Sequence, residues 1–186
     1  MCASTSIPST SDTVNGAMAI FPIRTYGDPV LRTPTTRVAE VDDSVRKLVA
    51  DLIETMYDAP GVGLAANQIG VSRRVAVFDA HDEEGPRPLI NPQIIETDGE
   101  LEFEEGCLSV PGHYWPITRP EFVRVRSLDL DGNEIEYAGD DLLGRVLQHE
   151  IGHLEGGLLI DHLPRRVRKK ALKELREELV PPHPGP

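Results

Sequence analysis

The sequence of 186 residues predicts a single α+β domain, mostly antiparallel in its sheets and closed by a C-terminal helix. Three observations predict it. A helical apolar stripe runs through residues 45–57, a strand-rich middle carries an Asp-Gly hairpin signal, and two further helical patterns follow residue 140. Helix, then several strands with turns, then helix is the order of an α+β domain rather than of alternating βαβ units.

The first helix follows Asp42, Asp43 and Ser44, which supply the N-cap. Val45, Leu48, Val49, Leu52, Ile53, Met56 and Tyr57 form its stripe, and Ala59-Pro60-Gly61 stops it. Arg74–Ala80 and Leu89–Glu96 are short β-branched runs separated by a loop of Asp, Glu, Gly and Pro. Glu121–Leu130 and Glu134–Tyr137 flank Asp131-Gly132 and read as a hairpin. A second helix opens at Asp140 or Asp141 and ends at Gly156-Gly157, with Leu143, Val146, Leu147, Ile151 and Leu154 on one face. A third runs from about Pro164 to Leu179 and ends before Pro181-Pro182. Neither repeats nor heptads interrupt this order. The expected organisation is a Ser/Thr-rich leader over residues 1–19, one domain over 20–180 with a basic helix at 165–180, and a Pro-rich tail over 181–186.

Charge narrows the function. With 19 basic and 31 acidic residues the chain carries −12, a field that repels nucleic acid and anionic membrane surfaces alike. No DNA partner and no membrane partner are expected. The charge is uneven, because residues 165–176 hold seven bases against Glu174 alone, a local +6 that leaves −18 elsewhere. No apolar run reaches the roughly 18–20 residues a membrane span needs. The leader lacks the basic start of a signal peptide, so the cytoplasm is the expected compartment. Two cysteines, Cys2 and Cys107, make no disulfide framework, which leaves Cys107 as a candidate ligand or nucleophile.

The sharpest motif is His149-Glu150-Ile151-Gly152-His153. Helix positions i and i+4 lie on one face, so both imidazoles can meet one metal ion, with Glu150 beside them as a general base. A catalytic ion of this kind takes three protein ligands and keeps one open position. A metzincin peptidase would place its third histidine at Leu159, which cannot bind metal. A thermolysin-like arrangement would use Glu174, which stands in an exposed basic helix. Cys107, within Glu105-Gly106-Cys107-Leu108-Ser109, would give a Cys/His/His set. A purely structural metal domain would need a fourth ligand, for which there is no evident candidate. Gly61-Val62-Gly63-Leu64-Ala65-Ala66-Asn67-Gln68 leaves the backbone bare for close approach, and Gln68 offers an amide donor to a developing oxyanion.

Taken in order, GVGLAANQ, EGCLSVPG and QHEIGHLEG resemble the peptide deformylase family, as do GDPVLR at Gly27–Arg32 and LINP at Leu89–Pro92. The resemblance spans Phe21 to Leu163. It implies antiparallel sheets packed around a central metal-binding helix, and a metal-dependent hydrolase that removes the formyl group from N-terminal formyl-methionine of nascent chains. It further implies that Cys107, His149 and His153 hold the ion. Glu150 would shuttle the proton, and Gln68 with the Leu108 backbone N–H would stabilise the oxyanion. Val62, Gly63, Leu64, Glu105 and Gly106 would bind substrate. The ion would be Fe2+, with Zn2+, Ni2+ or Co2+ as other forms, and the basic C-terminal helix would meet the ribosome. A zincin-type metallopeptidase and a low-activity deformylase relative are the alternative readings. Two positions depart from the family pattern: Gly152 stands where Asp is usual, and Tyr114 where many bacterial members carry Arg.

Overall fold

A computed structural model describes residues 19–179. Residues 1–18 of the expected 1–19 leader, with Cys2, and the tail over 181–186 lie outside the described residues. The described residues form three α-helices, α1 (Asp43–Asp58), α2 (Asp141–Leu154) and α3 (Arg165–Glu178), and seven strands. β1 (Gly63–Ala65), β2 (Val75–Phe78), β3 (Arg87–Asp98), β6 (Phe122–Leu128) and β7 (Glu134–Gly139) make one sheet in the order β1-β2-β3-β6-β7. β4 (Leu101–Gly106) and β5 (Tyr114–Arg119) pair separately, and every pairing between strands is antiparallel.

Alternation along β2 explains the layers. Val75 and Val77 point into the cluster beneath α1, whereas Ala76 and Phe78 point into the cluster beneath α2. Covered on both faces, the strand reads as an unbroken apolar run. α2 is therefore central, with the five-stranded sheet on one side and the β4–β5 hairpin bound to its other flank. A third cluster joins Leu31, Val110, Ile117, Leu159 and Ile160 to Ala171 and Leu175 of α3. No helix among the described residues is long and apolar enough to cross a membrane.

The N-cap of α1 is Asp42, whose carboxylate accepts from the Val45 N–H at 2.9 Å. The Asp131-Gly132 hairpin forms, but its connection runs from Asp129 to Asn133 rather than closing in two residues. The reason is Asp129, whose carboxylate accepts from the N–H groups of both Asp131 and Asn133 at 2.8 Å and stabilises the wider loop. The strand signals at β1, β4 and β5 are weak. β1 has three residues, the Leu-Glu-Phe-Glu alternation of β4 covers only four and leaves Phe103 exposed, and β5 contains Pro116.

A Cβ built at Gly152 would meet no heavy atom within 4 Å beyond its own helix backbone. Gly152→Ala should therefore raise stability by about 0.5–1 kcal/mol, read as a higher urea midpoint at unchanged m-value. The Asp161 carboxylate accepts from Arg32, from Arg168 at 2.6 Å and from the Leu158 N–H at 2.9 Å. Burial pushes this carboxyl up, but the Arg32 hydrogen bond, the Leu158 N–H and the two guanidiniums outweigh it and hold it below the usual range. A carboxyl held low in the fold contributes stability above its unfolded pKa of ~3.9, and the contribution fades as pH falls through the folded value. Asp161→Asn should cost about 1–2 kcal/mol at neutral pH. Urea titrations at stepwise lower pH should show the gap to the parent closing below about pH 4.

Candidate metal centre and active site

α2 carries His149 and His153 one turn apart, and the loop leaving β4 carries Cys107. Cys107 Sγ lies 3.1 Å from His153 Nε2, which lies 3.2 Å from His149 Nε2. All three donor atoms fall within 4.8 Å of one another. One thiol and two imidazole nitrogens converging in a largely buried corner are the donor set of a borderline-soft divalent ion, and three donors leave a coordination position open.

His149 is oriented from behind, whereas His153 Nδ1 is buried without a hydrogen-bond partner among the described residues. His149 Nδ1 stands 3.1 Å from Glu105 Oε2, which holds its other nitrogen toward the cluster. Glu105 is itself fixed by Arg119, whose Nε and Nη2 donate at 2.7 and 2.9 Å, and by Arg145 Nη1 at 3.0 Å. Asn67 Nδ2 donates to the His153 carbonyl at 2.5 Å, tying the turn after β1 to α2. Gln68 Oε1 accepts from the Ala65 N–H at 2.8 Å. That leaves Nε2 to donate to Ser109 Oγ at 3.1 Å, with Cys107 Sγ 4.0 Å away.

Electrostatics follow from this crowding. Burial pushes the Cys107 thiol up, yet the charge of His153 and the hydrogen bonds of both histidines outweigh it and leave the thiol well below its ordinary value. Burial also pushes His149 down, but its bonds to Cys107 and Glu105 prevail and raise it to about 10. At Glu105 desolvation is overcome by His149 and Arg119, and the carboxyl falls to about 2. Glu150 behaves oppositely: burial dominates over the two histidines and raises it to about 7. Its Oε2 has no hydrogen-bond partner, and a carboxyl poised near neutrality in a closed site is suited to moving protons.

Gly63 makes room for that carboxyl. A Cβ there would stand 2.3 Å from Glu150 Oε1 and 2.8 Å from Val146 Cγ2. Gly63→Ala should therefore fold with Glu150 displaced and lose at least tenfold in kcat/KM against a formylated peptide. Parent-like kinetics would show that Glu150 needs no fixed place.

The cluster opens into a cavity of about 440 Å3 whose walls include Val62, Gly63, Phe103, Tyr114, Leu142 and Val146. Gln68, Glu105, Gly106, Leu108 and Glu150 reach the same cavity, so the structure brings together nearly all the residues singled out in the sequence. At two of the expected substrate residues the side chain is turned to other work. The Leu64 side chain is fully buried beneath α1, because alternation in β1 turns it away from the cavity. The Glu105 carboxylate is engaged by Arg119, Arg145 and His149, which leaves its backbone as the part facing a substrate. Sequence reasoning missed Arg119, Arg145, Asn67 and Ser109, since each acts across a tertiary contact. Only Arg145, one turn before His149, carried a positional hint. A larger open groove of about 970 Å3 lies along α3, lined by its Arg and Lys side chains and remote from this chemistry.

Comparison with known proteins agrees with the site. Residues 20–169 match the family described as polypeptide deformylase. The chain is 47% identical over 163 residues to the peptide deformylase of Cellvibrio japonicus, spanning 87% of this chain and 96% of that one. It is 45% identical over 167 residues to that of Pseudomonas aeruginosa, spanning 87% and 99%. The solved peptide deformylase of Legionella pneumophila superposes with a TM-score of 0.80 at 44% identity, covering 87% of this chain and 96% of that one. That of Ehrlichia chaffeensis, in complex with actinonin, gives 0.81 at 38% identity, covering 87% and 98%. Sequence, fold and the Cys/His/His corner agree, and this chain belongs to the polypeptide deformylase family.

Proposed function

We propose that Cys107, His149 and His153 hold one Fe2+ while Glu150 moves the proton and Gln68 with the Leu108 N–H receives the oxyanion. The chain is a metal-dependent hydrolase that removes the formyl group from the N-terminal formyl-methionine of nascent polypeptides, releasing formate. The observation that carries the role assignment is the convergence of three donor atoms within 4.8 Å beside a buried carboxyl with an unpartnered oxygen. A divalent ion bound there supplies Lewis-acid charge and acidifies a water.

The protein's own residues do the rest. Glu150, near neutrality in its pKa, takes the proton of the attacking water and returns it to the departing amine. Gln68 is preorganised, because its carbonyl is already bound to Ala65 and its amide faces the thiol side of the cavity. β1 is an edge strand of its sheet and Gly63 lines the cavity, so the Gly63 backbone is placed to meet an extended peptide. Val62, Glu105 and Gly106 complete that backbone channel. Phe103, Leu142 and Val146 supply apolar surface for the methionine side chain. The sulfur and nitrogen donors suit Zn2+, Ni2+ or Co2+ as well, and metal analysis of anaerobically purified protein decides which is native.

Residues 20–180 would act as one catalytic domain in the cytoplasm. The exposed bases of α3 are a surface for ribosomal RNA, supported by the local +6 on an otherwise acidic chain. Reversing Lys169, Lys170 and Lys173 to Glu should abolish co-sedimentation with ribosomes, and unchanged co-sedimentation would dispose of that partner. The decisive test of function is incubation of the iron-loaded, oxygen-protected protein with formyl-Met-Ala-Ser. Release of formate is expected, and its absence would overturn the reading.

A further inference from the structure

The candidate metal ligands come from two separate elements. His149 and His153 belong to α2, while Cys107 follows β4 of the hairpin. Something must set the distance between those elements, and the backbone ladders do not, because β4 pairs only with β5. Arg145 spans the gap. It sits on α2 four residues before His149 and is only 7% exposed. Its Nη1 donates to the Ile117 carbonyl of β5 at 3.0 Å and to Glu105 Oε1 at 3.0 Å. Its Nη2 donates to the Leu101 carbonyl of β4 at 2.8 Å. A planar guanidinium can hold three acceptors at fixed angles, which an ammonium on a flexible stem cannot.

Glu105 makes the arrangement more than a structural staple. The same carboxylate that receives Arg145 holds His149 Nδ1 at 3.1 Å. Arg119, by contrast, lies on β5, within the hairpin, so its grip on Glu105 fixes the carboxylate to the hairpin but not the hairpin to α2. We propose that Arg145 is a positioning residue for the metal centre, setting at once the spacing of α2 from the hairpin and the orientation of His149 through Glu105. The inference rests on Cys107, His149 and His153 being the ligands.

The test uses Co2+ as the probe, bound to the full-length protein in place of iron. Loss of an outer partner of a metal-ligating histidine typically weakens binding 10–100-fold. Arg145→Leu should release Co2+ to a chelator at least tenfold faster than the parent and shift the cobalt–thiolate absorption bands. Arg145→Lys, which keeps the charge and is the milder change should the leucine variant misfold, should fall between the two. Because Arg145 acts through Glu105, adding Arg145→Leu to Glu105→Gln should change the release rate far less than it does in the parent. Parent-like release and spectra in Arg145→Leu would overturn this inference alone, as would fully multiplicative effects in the double variant. A parent protein that takes up no Co2+ would overturn the ligand assignment as well.

Discussion

Replacing Glu150 with alanine is expected to leave the metal in place and remove about 10³-fold of turnover, the scale of a lost general acid–base group. Two features separate this outcome from ordinary structural damage. Glu150 is 3% exposed, yet its Oε2 has no partner, so the fold draws no net hydrogen-bond energy from that atom. Removing an unpartnered buried carboxyl costs little stability, and the melting temperature should stay level or rise. The carboxyl also contacts neither Cys107 nor His153 by hydrogen bond, so ligand geometry has no reason to change. Metal content by elemental analysis and kcat/KM on a formylated peptide therefore form the paired measurement. Metal loss in proportion to activity loss would contradict the assignment of Glu150 as the proton carrier. Glu150→Gln is the isosteric companion: it keeps the shape that Gly63 accommodates and should be just as inactive.

For Cys107→Ser the expectation reverses, with metal lost first and activity as a consequence. In the parent the thiol is held well below its ordinary pKa and is ready to bind as thiolate. A serine hydroxyl in the same place stays neutral and is a far poorer ligand for a borderline-soft ion. An affinity loss on the order of 10²-fold or more is expected, exceeding what outer partners contribute. Linkage turns this into a stability readout, since a ligand at 100 times its Kd stabilises the folded state by about 2.7 kcal/mol. Added metal should thus raise the melting temperature of the parent by several degrees and leave that of Cys107→Ser nearly unmoved. Full metal retention by the serine variant under chelator challenge would remove Cys107 from the ligand set.

Legibility of the fold tracked how local its causes were. α1 could be read because apolar spacing and capping act within a few residues, as Asp42 and Val45 do at 2.9 Å, and α2 by its apolar spacing alone, since Asp140 makes no side-chain cap. The β4–β5 hairpin could not, because its acids face outward at 102 and 104 and turn inward at 105 only to meet partners far away. Those partners are Arg119, 14 residues on, and Arg145, 40 residues on. The motif around Cys107 therefore says nothing of the Glu105 side chain, which burial and two guanidiniums give to the histidine behind it. The direction of Leu64 is illegible for a simpler reason: in a strand successive side chains face opposite ways, and the direction of the first is set by the sheet.

By itself the sequence determined the kinds of donor and their helical spacing, since His149 and His153 face one way on any α-helix. Its three ordered motifs also determined the family. Only the tertiary structure decided that Cys107 joins the histidines, that Gly63 opens space for Glu150, and that Arg145 ties α2 to the hairpin. Each of those depends on how separate elements are packed, and packing is a property of the assembled core rather than of any local run of residues.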